Sequence, residues 1–111
     1  MNAIDFNQLY DSLKSGVETV AKESLNSYVS QATKDGKNAL QDIKTNLQRW
    51  AVEVETGALT KEDLQFLLQE ETALDELTSL KEAGLAAVQI DKFRNGLINM
   101  IISTVTGSVK V

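Results

Sequence analysis

From Phe6 to Val54, apolar side chains return about every 3.7 residues, the repeat of an α-helix and not of a strand. The stripe runs through Leu9, Leu13, Val17, Leu25, Ala32, Leu40, Leu47 and Trp50 without losing phase. Proline is absent from all 111 residues, so nothing forces a break by removing a backbone N–H. No stretch alternates apolar and polar residues as a half-buried strand does. The fold class that follows is all-α, one helical domain over residues 1–111. The period lies nearer an eleven-residue repeat than a heptad, which argues against a leucine zipper.

Two helix starts carry paired signals. Asp5 with Gln8 fits a capping box, and Ile4 with Leu9 the flanking hydrophobic staple. Thr60 with Asp63, flanked by Leu59 and Leu64, repeats the device. Gly57, after Val54-Glu55-Thr56, suits a left-handed helix end, and Gly107 suits another after Val105-Thr106. These signals predict a helix from Phe6 to Glu55, a turn over Thr56 to Leu59, and a helix from Lys61 to Thr106. At that length each helix spans about 70 Å.

Three places complicate this long antiparallel hairpin. Asp35-Gly36 resembles a breaker, yet the apolar phase continues through it, and Gly36 on the apolar side favours close helix approach. Thr72 with Asp75 can cap a fresh start after Glu70-Glu71, and Gly84 can bend the chain. Breaks at both Gly36 and Gly84 give a four-helix bundle from one chain.

Composition narrows the chemistry. Histidine and cysteine are absent, which removes the commonest general base, the thiol nucleophile and the ligands of a structural zinc site. No Ser-x-x-Lys occurs, and the six glycines are isolated, so neither a local Ser/Lys nucleophile nor a phosphate-cradling loop is signalled. Asp35-Gly36-Lys37-Asn38 lacks the alternating oxygen ligands of a calcium loop. The expectation is a non-enzyme without catalytic, cofactor-binding or metal-binding residues. An apolar run behind a basic start, the mark of a secretory signal, is missing, and a cytoplasmic location is expected. The longest uncharged stretch, Asn95 to Val109, is too short and too polar to span a bilayer.

Four features are candidate sites. Glu70, Glu71, Asp75 and Glu76 form an acidic group in which Glu71 and Asp75 share a helix face at i,i+4. Such a pair can hold a divalent cation, but a charge run reads first as a solvated surface. In Lys92-Phe93-Arg94, helical spacing puts Phe93 in the core and its neighbours toward water. Asn95-Gly96 can form a turn, but the helical pattern runs through it. Trp50 can anchor a partner, yet its place on the stripe makes it a core residue. Trp50 and Phe66 lie equally far from the turn centre near Ala58, which predicts that they pack together.

The net charge is −5, and Lys61 to Glu82 alone holds seven acidic residues against Lys61 and Lys81. Nucleic acid is excluded by that field. A two-helix hairpin leaves part of each stripe uncovered, so the sequence points to a helical interaction or structural protein. Its partner is expected to be a second copy, giving a dimer, or another helical protein. The alternative is reversible binding to a lipid or membrane surface. Against it, residues 1–55 carry more acidic than basic side chains, whereas surface-seeking helices favour Lys and Arg.

Overall fold

A computed structural model describes residues 5–108. Among these residues there are six α-helices and no strand: α1 (Phe6–Ser24), α2 (Val29–Asp42), α3 (Lys44–Thr56), α4 (Lys61–Gln69), α5 (Thr78–Glu82) and α6 (Ala87–Ser108). Two 3₁₀ turns, Asn26–Tyr28 and Thr72–Asp75, join them. The all-α reading holds, and the arrangement is a bundle. Its extents are 47 × 23 × 20 Å, shorter than a hairpin of two unbroken 70 Å helices requires. The radius of gyration is 13.8 Å, where a compact chain of this length has about 13 Å.

The expected first helix is divided, and the reversal is not at Gly36. It comes at Leu25, with φ −141° and ψ 71°. Ser24 and Ser27 lie beside that residue, and serine is a weaker helix former than the long unbranched residues. Leu25 itself is buried, so the apolar phase survives the break and conceals it in the sequence. After the reversal α2 lies antiparallel to α1. Val17 meets Gly36, Glu18 pairs with Lys37, and Lys44 covers the Tyr10 ring, each pair nearly equidistant from the turn. A Cβ on Gly36 would lie 2.5 Å from Val17 Cγ1, so this glycine permits close approach, as its position on the stripe predicted. Ile43, at φ −104° and ψ 10°, offsets α3 from α2 without reversing the chain.

The turn after α3 is formed as expected. Gly57 takes φ 86°, and Leu59 N–H bonds back to Glu53 O at 3.0 Å. The Thr60–Asp63 capping box closes with two bonds of 3.1 Å. At the first start, Asp5 accepts from Gln8 N–H at 3.3 Å, while the return bond from the Gln8 side chain does not form. Ile4 lies outside the described residues.

The expected second long helix is also divided. It stops at Gln69, resumes as α5, and breaks again at Gly84, which adopts φ 84°. Thr72 and Asp75 lie in a 3₁₀ turn, and Thr72 does not cap a helix start. Gly107 does not end the last helix, which continues to Ser108. The segment from Glu70 to Gly84 wraps against α2, burying Leu74, Leu77 and Leu80 completely. Each such leucine contributes about 1.5–3 kcal/mol.

The remaining long helix, α6, packs antiparallel along α1. Gly16 faces Met100, and Gly96 faces Val20, so glycines on both helices bring the backbones together. One apolar cluster draws side chains from every helix, with Leu13, Leu40, Leu47, Leu64, Phe93 and Ile101 among its largest wholly buried members. Among the described residues no helix is long and apolar enough to cross a membrane.

Candidate interaction surface

The four candidate sites take structural places. Glu71 accepts from Asn46 Nδ2 at 3.2 Å, tying the start of the wrap to α3. It precedes the 3₁₀ turn in which Asp75 sits, so the two do not lie on one α-helix. Glu70 ends α4, and Glu76 is exposed beyond the turn. Among the described residues no three acidic, histidine or cysteine side chains group as metal ligands do.

In the basic triplet, Phe93 is fully buried and Lys92 is exposed, as helical spacing predicted. Arg94 is turned inward to the fold: Nη2 donates to Gln69 O at 2.9 Å, closing the C-terminal end of α4. Asn95-Gly96 is helical. Trp50 is 4% exposed and belongs to the core.

The expected contact between Trp50 and Phe66 is overturned. Phe66 is 63% exposed. The cause is helix geometry. Leu64 and Leu68, both wholly buried, fix the inward face of α4. Phe66 lies two residues from each, about 200° around the axis, and therefore points outward. Equal distance from a turn fixes axial position along a hairpin, but not the direction of a side chain.

Asp35 is a residue whose role sequence reasoning missed. It is a buried charged side chain, 4% exposed. Its carboxylate accepts from Ser79 N–H at 3.1 Å and Leu80 N–H at 2.9 Å. Leu77 precedes α5 and offers no side-chain cap, so its free N–H groups are satisfied from α2. No local signal could have found it, because α5 and its uncapped start are set by the fold.

Charges are paired on α1 and α2 and unpaired on α4 among the described residues. On the α1–α2 side, Lys44 and Lys14 stand 4.7 and 5.4 Å from the Tyr10 ring centroid. Burial raises the Tyr10 phenol above its ordinary value, and Asp42 acts in the same direction. Lys37 donates to Glu18 at 3.0 Å and holds that carboxyl below its ordinary value. On α4 the balance is acidic. Glu62, Asp63 and Glu70 lie at i−4, i−3 and i+4 from Phe66, and all are exposed. None of the three forms a salt bridge among the described residues. Of the aromatic side chains, Trp50 and Phe93 are buried and Phe6, Tyr10 and Tyr28 are half-buried, which leaves Phe66 alone in open exposure. Among the described residues, Val52 and Val88 are the other large apolar side chains turned to water.

Compared with known family models, curated proteins and solved structures, the chain matches none.

Proposed function

We propose that this chain is a non-enzymatic helical interaction protein that engages a protein partner through the outward face of α4, with Phe66 as its anchor. The observation that carries the reading is the 63% exposure of Phe66 on a helix whose fold-forming work is done by Leu64 and Leu68. Exposed phenylalanine contributes nothing to the core, whereas an aromatic that becomes desolvated in a complex can dominate its affinity. The capping box at Thr60 and Asp63 and the Arg94 bond at Gln69 hold both ends of α4. The face is therefore presented in a set conformation, which lowers the ordering cost of binding.

A two-helix hairpin would leave apolar stripes for a second copy to cover. The fold covers those stripes within one chain, so a second copy is not needed to complete the core. The proposal accordingly rests on Phe66 and names a partner protein.

A photo-crosslinking amino acid at position 66, compared with one at the exposed position Ser12 on α1, tests the reading. The expected result is a discrete protein adduct from position 66 and none from position 12. The purified adduct partner should bind the Phe66→Ser variant roughly tenfold or more weakly. Equal adducts at both positions, or undiminished binding by the variant, would overturn it.

A further inference from the structure

We infer that the occupant of the α4 face is a lysine- or arginine-rich amphipathic segment of another protein, its apolar side meeting Phe66 and its cations meeting Glu62, Asp63 and Glu70. This rests on the proposal that Phe66 is the contact residue and adds the chemistry of the partner.

The inference follows from what surrounds the ring. Phe66 is flanked one turn before by Glu62 and Asp63 and one turn after by Glu70, all exposed. Asp63 gives one oxygen to the Thr60 N–H, and the charge of its carboxylate remains at the surface. Among the described residues no cation is bonded to any of the three. An apolar anchor within unneutralised carboxylates selects its partner by two conditions at once. The partner must supply apolar contact to the ring and positive charge around it.

Other occupants fail one condition. A nucleic acid or anionic membrane surface would set its phosphates against the carboxylates. A second copy docking face to face would oppose Glu62, Asp63 and Glu70 with their own counterparts, which costs free energy at close range. A neutral apolar peptide satisfies the ring alone and leaves the carboxylates to be desolvated without compensation. A basic amphipathic helix meets both conditions, and electrostatic steering would speed its encounter.

Three peptides of one helical Leu pattern, carrying Lys, Gln or Glu at every polar position, test this against the full chain by backbone amide NMR. The Lys peptide is expected to perturb amides of Lys61 to Glu70, with affinity falling as salt is raised from 50 to 500 mM, roughly a threefold shortening of the screening length. Its affinity should fall roughly tenfold with Phe66→Ser and several-fold with the double variant Glu62→Gln and Glu70→Gln. Equal binding of the Gln and Lys peptides at α4 would overturn the basic partner and leave Phe66 as the contact residue. Undiminished binding of the Lys peptide to Phe66→Ser would overturn both. Perturbation centred away from α4 would overturn the basic-partner assignment, while the crosslink at position 66 still judges the contact residue separately. The melting temperature of each variant is measured alongside, and because all three positions are exposed it should not change.

Discussion

Asp35 and Leu80 lie 45 positions apart, yet the Leu80 N–H donates to the Asp35 carboxylate at 2.9 Å. With the neighbouring bond from Ser79, the side chain does for α5 what a local cap would do, from the middle of another helix. Three elements depend on it: α2, which supplies the acceptor, α5, which supplies the donors, and the buried leucines between them. Replacing Asp35 with Ala leaves two donors near the core without an acceptor. The expected loss of stability is about 1–3 kcal/mol, measured as a lower urea midpoint. The Ser79 and Leu80 amides should exchange with solvent faster than amides of α1 and α6. A loss below about 0.5 kcal/mol, the level of an ordinary surface change, would mean that the cap carries no weight.

Gly36 makes a second, opposed prediction to that of helix propensity. Alanine at an open helical site stabilises by about 1 kcal/mol relative to glycine. At Gly36 the new methyl would lie 2.5 Å from Val17 Cγ1, a stiff β-branched side chain in the fully buried α1–α2 contact. Overpacking of this kind costs about 1–3 kcal/mol, so Gly36→Ala should lower the melting temperature. Gly16 is the control. Its obstacles are Sδ and Cγ of Met100, at 2.5 and 2.7 Å, parts of an unbranched, flexible and half-buried side chain, so Gly16→Ala should cost less than Gly36→Ala. Equal stabilisation at the two positions would show that backbone propensity, not packing, decides both.

The division between what the residues disclosed and what they hid has a physical basis. Local devices were legible because their partners are three to five residues apart: the Thr60–Asp63 box, the left-handed Gly57 and the inward Phe93 all follow from adjacent sequence. The reversal at Leu25 was not, because a buried leucine at the break preserves the apolar phase on which helix continuity was judged. Ser24 and Ser27 were the weaker signal, and Gly36 the more conspicuous one, though Gly36 serves packing. Asp35 could not be placed at all, since its donors come from a segment brought close only by the complete fold. Phe66 was misplaced by reasoning from distance along the hairpin while the spacing of Leu64 and Leu68 already turned it outward.

Tyr10 links stability to alkaline pH. Its phenol is raised from the ordinary 10.0, first by burial and then by Asp42. The folded state therefore favours the protonated phenol. That contribution is complete below about pH 10 and is lost as pH climbs through the raised folded value. Tyr10→Phe keeps a ring near Lys14 and Lys44 but removes the titrating group. Urea midpoints of the two proteins should differ by a constant amount up to pH 9. Above pH 10 the original chain should lose stability faster than Tyr10→Phe. Parallel curves throughout would remove Tyr10 from the alkaline transition.

Trp50 and Phe66 supply the sharpest contrast between the two readings of this hairpin. Were they packed together, truncating either would damage the same contact, and both changes would be costly. The fold separates them. Trp50 is 4% exposed in the core, and Phe66 is 63% exposed on the far side of its helix. Trp50→Ala should cost about 3–5 kcal/mol, the range for emptying a buried aromatic site. Phe66→Ala should change stability by no more than about 0.5 kcal/mol. Indole emission from the single tryptophan should be blue-shifted and stay so on dilution to nanomolar protein, because the shielding comes from this chain's own core. It should also be unmoved by Phe66→Ala. A cost at Phe66 comparable with that at Trp50, together with a red shift of the indole in Phe66→Ala, would restore the contact and remove Phe66 from the surface on which the functional proposal depends.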